Sequence, residues 1–471
     1  MQLLPCNKHF YSLALSLSCA WLVVILPCLT FSDWEHDEQR RAVSDTDFAQ
    51  YYMGALVVRH ALWDNLYPVP KEPVSQEQPS PLRIMDGGIA SAEQSTIDPK
   101  LLTICPELEG NNRYVYPPPL ALLLAPLGFL DYHGAKQAWF LLLGASLCGT
   151  GYLSYKIFAK LTGQVYKPTG ILIIILPATI QLYCYLRHYD TGYDLGNCSA
   201  FLGLLITAAV WCWLAERQVL VGILMIPLLL FKGLGLGWCL LLLAMPVRWK
   251  TLATLAILTI GLNTLTFYFS GVQPYKVFLT EILPAANIAV GTGLQGQLKY
   301  YFGLNYQKVF LLVNLFLHLV VFVGYQRSQS LADHNGYRNE ATITALACSV
   351  AIFVLLNPVV WQHYYFPYLV YPFAGLISIH LGRKSSKKNR SLLALFLLIY
   401  IGLNIALVNV LTGLTGASPE EVQALWNILK FFNGIFIPIA ATVVFLTCLL
   451  IDLYARPSQA EPLPGPPDQA W

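Results

Sequence analysis

The chain has 471 residues, of which 56% are apolar and only 12% are charged. An average soluble protein carries roughly 25% charged residues, so this composition excludes a soluble globular enzyme, a disordered chain and a coiled coil. The formal net charge of +3 is too small to indicate a nucleic-acid partner. The sequence therefore predicts a polytopic membrane protein.

A helix needs about 20 apolar residues to cross the hydrocarbon core, and such runs recur along the chain. The first run is read as a retained span rather than a signal peptide, because Pro27-Cys28-Leu29 is a poor cleavage site. The stretch 218–245 is either one span or two spans broken at its glycines, and a shorter run at 116–130 begins with three prolines. The full-length runs lie at roughly 10–31, 136–156, 168–186, 195–214, 251–270, 308–326, 341–356, 364–382, 391–412 and 428–452.

Two polar segments interrupt the apolar runs. Residues 32–115 form a loop of 84 residues that holds 14 of the 26 acidic residues but only 7 of the 29 basic residues. Its middle, 68–112, is rich in Pro, Ser, Glu and Gly without a helical or strand period, which is typical of a flexible segment. Residues 271–307 mix aromatic, polar and glycine residues, and are predicted to be a structured loop at the interface. We expect one transmembrane domain over 1–455 and a cytoplasmic tail over 456–471.

The orientation follows from Lys and Arg in short loops, which favour the cytoplasm. Five basic residues fall within 383–390, and Arg248 and Lys250 form a second cytoplasmic mark. Counting spans from the first mark places 271–307 and 357–363 outside. Lysines after the second run also favour the cytoplasm. These lysines and an outer acidic loop agree only if 116–130 is re-entrant and 218–245 crosses the membrane twice. The number of crossings among the middle spans therefore stays open.

The first chemical candidate follows the first apolar run. Ser44-Asp45-Thr46-Asp47 leads into a stretch from Phe48 to Leu62 whose apolar residues recur at helical spacing, as in an amphipathic helix lying on a membrane surface. Asp45 or Asp47 would cap that helix by accepting hydrogen bonds from its first backbone N–H groups. Alternatively, the carboxylate acts as a general base at the membrane surface.

Two familiar motifs lack the context that their chemistry requires. Asp45 and Asp47 have the D-x-D spacing of metal-assisted sugar-nucleotide transferases, but two residues alone carry little weight. Gly291, Gly293 and Gly296 match G-x-G-x-x-G, yet no strand precedes them and no βαβ unit is predicted, so they do not indicate a dinucleotide site. None of the eleven cysteines forms a C-x-x-C pair, and the histidines show no metal-ligand spacing. We expect neither a metal nor a cofactor.

A second candidate is the segment from Asn357 to Tyr365, at a predicted outer span boundary. Trp361 and the tyrosines beside it are typical of interfacial aromatic residues, among which His363 could be a bystander. However, His363 is predicted on the same side of the membrane as Asp47, and an ionisable residue at membrane depth is a functional hypothesis by default.

Two further basic residues stand close to membrane depth. Lys232 is alone inside the apolar stretch 218–245, where it either reaches an interface, pairs with an acid or meets an anionic substrate group. Arg187 closes another apolar run and is either a solvated end or part of the same polar face. On residue chemistry alone, an enzyme and a transporter both remain open.

Several short pieces follow one another along the chain, namely Asp47-Phe48-Ala49-Gln50-Tyr51-Tyr52, Leu66-Tyr67, Tyr116-Pro117-Pro118, Ala125-Pro126-Leu127, Trp139 and Pro358-Val359-Val360-Trp361-Gln362-His363. Taken together, these segments resemble glycosyltransferase family 87, the polyprenyl-phosphate-sugar-dependent mannosyltransferases of the C-type superfamily. The chain departs from the family pattern at Gly196-Asn197, which lacks the family's Gln, at Lys232-Gly233, where the family has Lys-Pro, and in its long linker 68–112.

The resemblance implies an all-α polytopic membrane protein, a C-type glycosyltransferase-like bundle of about 11–13 transmembrane helices with external amphipathic helices. It implies transfer of mannose or another hexose from a polyprenyl-phosphate sugar donor to an external hydroxyl of a lipid or glycan acceptor, by an inverting single displacement. Asp47 matches the catalytic base, and His363 matches the group that donates to the leaving phosphate. The predicted donor- and phosphate-binding residues are Lys232, Arg187, Tyr51, Tyr52 and Trp361.

A multi-span transporter or lipid flippase is the alternative, since it would share the helices and the polar residues at membrane depth. A transporter should carry ionisable residues near the midplane on broken helices, with internal repeats, and no convincing repeat is present. A transferase should gather acids in one external loop, as 32–115 does. We expect membrane lipids and no nucleic acid as partners, in a bacterial cell membrane with the site facing away from the cytoplasm.

Overall fold

The structure of the chain is a computed structural model. All regular elements in the residues it describes are helices, and no strand occurs among them. The all-α prediction is therefore confirmed for this part of the chain. The described residues are 47–67, 97–109, 114–162, 196–233, 235–244, 249–283, 307–332, 338–357 and 437–455, with 294, 368–369, 372–373 and 376.

The predicted apolar runs form helices where those runs are described, with ends shifted by a few residues. The runs 10–31, 168–186, 364–382 and 391–412 lie wholly or largely outside the described residues. Short 3-10 turns occupy Trp63–Asn65, Pro106–Leu108 and Ala125–Phe129, and a π-helical turn spans Phe278–Ile282. The α-helices are α1 (Asp47–Arg59), α2 (Pro99–Ile104), α3 (Pro118–Leu124), α4 (Tyr132–Thr162), α5 (Ser199–Leu214), α6 (Gln218–Lys232), α7 (Gly235–Ala244), α8 (Trp249–Ser270), α9 (Gln273–Val277), α10 (Gln307–Ala332), α11 (Arg338–Leu356) and α12 (Ile437–Ala455).

The apolar stretch 218–245 forms two helices, α6 and α7. Gly233 follows α6 in a left-handed conformation with φ of +65°, and its N–H donates to the Leu229 carbonyl at 3.0 Å. Helices commonly end this way on glycine, which has no side chain to penalise the conformation. At the other end of α6, the Thr251 hydroxyl of α8 donates to the Gln218 carbonyl at 2.9 Å. The chain therefore runs along α6, turns at Gly233 and returns through α7 before α8 begins.

Two described helices are long and apolar enough to cross a membrane, namely Trp249–Ser270 and Lys308–Gln329. Only 11% and 28% of the residues in their most apolar windows are buried, so most of these side chains face outward. An outward apolar surface of this extent is compatible with contact to lipid. The predicted total of about 11–13 spans stays a prediction.

Helix α1 is present as predicted, but it does not lie on a surface. All ten residues from Phe48 to Val57 are buried, because α3, the 3-10 turn after it and α4 pack around the helix. Most residues between the predicted apolar positions are themselves small or apolar, as at Ala49, Met53 and Gly54, so the buried part of the helix has no continuous polar face to meet water. The prediction of an amphipathic surface helix was therefore wrong.

Residues 97–109 lie inside the segment predicted to be flexible, yet they form short ordered helices. The Asp98 carboxylate caps α2 by accepting a backbone N–H of its first turn at 2.8 Å, and Pro99 occupies the first helical position, where it needs no N–H partner. Leu101 and Leu108 are fully buried. Six residues of helix are too few to show a period, so for 97–109 the prediction of flexibility was wrong.

The proline-rich run 116–130 is too short to cross a membrane as a helix. Helix α3 has 7 residues, or about 10 Å of length, against roughly 30 Å of hydrocarbon. Pro118 and Pro119 sit in its first turn, where a missing N–H is tolerated. The run instead packs along α1, so it serves as a lateral support for that helix.

Candidate functional site

Asp47 opens α1, and its half-buried carboxylate is held by an amide from another helix. The Asn197 side-chain N–H donates a hydrogen bond to Asp47 Oδ2. Asn197 is oriented in turn by the start of α5, because its Oδ1 accepts the Ser199 backbone N–H at 2.9 Å. The N-terminal ends of α1 and α5 thus meet at one carboxylate, a place that both helix dipoles favour for negative charge.

Gly196 allows this meeting of the two helices. It has a φ of +66°, in the left-handed region that glycine adopts without penalty. A Cβ atom at this position would lie 2.6 Å from the Phe48 Cβ of α1, so a side chain cannot fit. The Gly196 carbonyl also accepts a hydrogen bond from the Trp139 indole N–H at 2.7 Å. The turn that carries Asn197 is therefore fixed against both α1 and α4.

Tyr51 lies one turn along α1 from Asp47 and is fully buried. Its hydroxyl lies 3.1 Å from the Tyr116 hydroxyl and accepts the Cys198 backbone N–H at 3.4 Å. Its ring is 5.0 Å from the Trp139 ring and 5.5 Å from the Phe231 ring between centroids. Edge-on and tilted aromatic contacts of this kind stabilise a rigid arrangement. The structure therefore brings the predicted donor-binding residue Tyr51 next to Asp47.

Tyr52 faces a different part of the molecule. Its hydroxyl donates to the Leu130 carbonyl at 2.8 Å, and its ring packs against those of Phe48 and Tyr132 at 5.9 and 5.4 Å. Burial is the main reason that the pKa of Tyr52 is raised to about 12, and the Cys105 thiol adds to the shift. A neutral tyrosine with its proton committed to a carbonyl cannot serve as a phosphate donor in this arrangement.

A cavity of about 300 Å³ opens beside Tyr52, between α1 and the 97–109 segment. Its lining combines acidic, basic and aromatic side chains and does not include Asp47. The Arg59 guanidinium is already engaged there, because it donates to the Gly128 carbonyl at 2.6 Å and lies 5.8 Å from the centre of the Phe129 ring. The lining residues are Tyr52, Leu56, Arg59, His60, Ile104, Cys105, Glu107, Leu130, Asp131 and Tyr132.

Cys105 in this cavity is expected to resist alkylation. Burial raises the pKa of its thiol to about 12, and the hydrogen bond that Sγ donates to Glu107 at 3.3 Å adds to the rise. Since the thiolate is the reactive form, modification by iodoacetamide should stay slow from about pH 7 to 9, where an ordinary cysteine of pKa about 8.5 becomes reactive. Site-resolved mass spectrometry of the folded protein measures this rate. The Glu107→Gln variant should react faster, and fast labelling of wild-type Cys105 at pH 8 would contradict the prediction.

The remaining predicted site residues are only partly located. Lys232 ends α6 directly after Phe231, whose ring contacts Tyr51, so its backbone lies at the same end of the bundle as Asp47. Asp45, Arg187, Trp361 and His363 lie outside the described residues. Among the residues that are described, no group of three His, Cys, Asp or Glu side chains is placed to hold a metal ion.

Comparison with known proteins identifies the family. The model of glycosyltransferase family 87 matches residues 114–358, or 245 of the 471 residues. The chain belongs to glycosyltransferase family 87. The resemblance seen in the sequence is thereby confirmed. No curated protein and no solved structure matches the chain.

The family 87 match covers residues that support the site, but not the two residues that are predicted to be catalytic. It includes Tyr116, Trp139, Asn197 and Lys232, but it begins after α1 and ends before His363. Glycosyltransferase family 87 is membrane-associated, which agrees with the two apolar helices that are long enough to cross a membrane. The match establishes a glycosyltransferase and leaves the roles of Asp47 and His363 as predictions.

Sequence reasoning missed Asn197 as a partner of Asp47. It noted Gly196-Asn197 only as a departure from the family pattern, yet this pair provides both the close approach to α1 and the amide that holds the carboxylate. An Asn placed directly before an apolar helix is a signal for a helix start. No local signal links Asn197 to a residue 150 positions earlier.

Proposed function

We propose that this family 87 glycosyltransferase moves a hexose from a polyprenyl-phosphate donor to an acceptor hydroxyl, with Asp47 as the general base. The observation that carries the proposal is the half-buried Asp47 carboxylate, held by the Asn197 amide between two helix ends. An ionised carboxylate has two oxygen atoms with about four lone-pair positions, so this group can accept hydrogen bonds and receive a proton from the acceptor hydroxyl.

The proposed reaction is a single displacement that inverts the anomeric centre. The acceptor oxygen forms a bond to the anomeric carbon on the face opposite the phosphate, and Asp47 takes the proton of that hydroxyl. The bond between the anomeric carbon and the phosphate oxygen breaks, and its electron pair leaves with the polyprenyl phosphate. A hydrogen-bond donor or cation stabilises this developing charge, and His363 is the first candidate, with Lys232 and Arg187 as weaker ones.

The surroundings of Asp47 support a lipid-linked donor. Tyr51, one turn from Asp47 in α1, is fully buried among other aromatic rings and holds this end of the helix in place, and Trp361 is proposed as an aromatic contact for the donor. Tyr52 was also predicted to bind the donor or its phosphate. Because its hydroxyl already donates to the Leu130 carbonyl, we propose that only its ring packs beside the donor. A polyprenyl tail would lie along the apolar helices while its sugar phosphate reaches the site.

The short helix α3 also supports a site that faces away from the cytoplasm. An outer acidic loop requires that 116–130 does not cross the membrane and that 218–245 crosses twice. The short α3 is compatible with the first condition. The chain turns at Gly233 and returns through α7, but the 10 residues of α7 extend only about 15 Å as a helix, so the second condition stays part of the proposal. The orientation itself, the bacterial membrane and the acceptor remain part of the proposal.

Glycosyl transfer should survive chelation of divalent metal ions. The proposed base and phosphate donors are protein side chains, so the reaction requires no cation. We expect transfer in excess EDTA at nearly the untreated rate, because side-chain donors alone can stabilise a leaving phosphate. Loss of activity in chelator that Mg²⁺ or Mn²⁺ restores would revive the D-x-D interpretation of Asp45 and Asp47 and remove the basis for Asp47 as a base.

A donor panel tests the proposed function directly. Purified protein is incubated with radiolabelled mannose, glucose and galactose on a polyprenyl phosphate, together with extracted membrane lipids as acceptors. Transfer of label from at least one donor into a lipid or glycan product supports the proposal. Translocation of the intact donor across proteoliposomes without any new glycosidic bond would instead support the transporter or flippase alternative.

A further inference from the structure

Gln50 carries a buried acceptor atom for which the described structure provides no partner. The side chain is only 7% exposed, and its Oε1 has no hydrogen bond among the atoms that the structure describes. Buried polar atoms are nearly always paired in folded proteins, and an unpaired one costs stability. An unpaired oxygen of this kind in the first turn of α1 can therefore accept a hydrogen bond from a ligand that reaches it.

The position of Gln50 relates it to Asp47. The two residues are three positions apart in α1, so their side chains are neighbours on one side of the helix. The next residue, Tyr51, has its hydroxyl engaged with Tyr116 and with the start of α5. The unpaired amide oxygen of Gln50 thus lies within one helical turn of the proposed base.

We propose that Gln50 binds a hydroxyl group of a carbohydrate substrate beside Asp47. A carboxamide suits this task because it offers both an acceptor oxygen and N–H donors, as a sugar hydroxyl requires. The hydroxyl belongs either to the donor sugar or to the acceptor, and the two share the same chemistry. This inference rests on the proposed function and adds to it a residue that recognises the sugar.

The test combines Gln50→Met with two readouts. Methionine has nearly the same volume and no hydrogen-bonding amide, so without ligand the variant should unfold at a temperature equal to or above that of the wild type. Binding is then measured from the thermal shift with two probes, farnesyl-phosphate-mannose for the donor and octyl α-mannoside for the acceptor. We expect one of the two probes to bind at least about 10-fold more weakly, which corresponds to the loss of a single hydrogen bond, and kcat/KM to fall in step.

Gln218→Met provides the matched control. Gln218 Oε1 is also buried without a described partner, but Gln218 lies at the far end of α6 from Phe231 and Tyr51. The same substitution there should leave the binding of both probes unchanged. Whichever probe weakens in Gln50→Met identifies whether donor or acceptor provides the hydroxyl.

Two results would overturn the inference. One is a lower unfolding temperature for unliganded Gln50→Met, which would mean that the amide has a structural partner. The other is unchanged binding of both probes by Gln50→Met while the wild type binds and turns them over. Failure of the wild type to bind either probe and to transfer any sugar of the donor panel would instead overturn the proposed function itself, and this inference with it.

Discussion

Asp47→Asn should lower the rate of glycosyl transfer by about 10²- to 10⁴-fold, the usual cost of losing a general base. The folded structure should change little, because an asparagine oxygen can still accept the hydrogen bond that the Asn197 amide donates to Asp47. The variant therefore removes the basic carboxylate while keeping the contact between α1 and α5. Initial rates with the best donor of the panel, together with the unfolding temperature, measure the two effects separately.

Asp45→Asn is the matched control for this variant. It makes the same chemical change two residues earlier in the same segment, so a general effect of lost negative charge would appear in both variants. Its activity should stay within about threefold of wild type, since a charge change without contact to the reacting atoms costs less than a lost general base. An inactive Asp45→Asn beside an active Asp47→Asn would show that the base has been assigned to the wrong residue.

Gly196→Ala should impair both folding and catalysis. A left-handed conformation costs an alanine about 1–2 kcal/mol, and the overlap of its Cβ with Phe48, at 2.6 Å, forces the turn away from α1. We expect a total loss of about 2–4 kcal/mol in the free energy of unfolding, since overpacking adds a similar amount to the backbone strain. Because Asn197 would move with the turn, kcat should fall about 10²-fold, as for an ångström-scale displacement in an active site.

Gly271→Ala is the control that separates the cost of a left-handed backbone from the cost of the steric overlap with Phe48. Gly271 has a φ of +69°, close to that of Gly196, but a Cβ there would have no atom within 4 Å. This variant should lose only the conformational cost of about 1–2 kcal/mol and keep its transfer activity. Urea unfolding in detergent and initial rates provide the comparison. Equal losses in the two variants would mean that the approach of Gly196 to Phe48 is not required for the site.

Much of the helical layout can be predicted from the sequence because it depends on local composition. The break between α6 and α7 follows from the glycine at position 233, and α1 follows from the run of apolar residues after Asp47. The burial of α1 on all sides was missed because a periodicity analysis counts the large apolar residues and ignores the small ones between them. Gly54 and Ala55 allow Tyr114 and Gly128 to pack closely against α1, and closeness of that kind depends on partners elsewhere in the chain.

The candidate site was only half predictable for the same reason. Asp47 could be found from its place after an apolar run and from the family pattern, both of which are local. Its contact with Asn197 could not, since the pairing depends on how the turn at Gly196-Asn197, before α5, packs against α1. The short helices in 97–109 were not predicted either. They are stabilised by the burial of Leu101 and Leu108 against the rest of the protein, and the sequence of this segment has no helical period of its own.

The separation of Asp47 and Asn197 along the chain also determines when the site can form during synthesis. The two residues are 150 positions apart, and a ribosome that adds about 5–20 residues per second needs roughly 8–30 s to cover that distance. During this interval α1 has been made but α5 has not, so Tyr51 still lacks its contact with the backbone N–H of Cys198. The nascent protein therefore gains the capacity for catalysis only after Asn197 and α5 have been added.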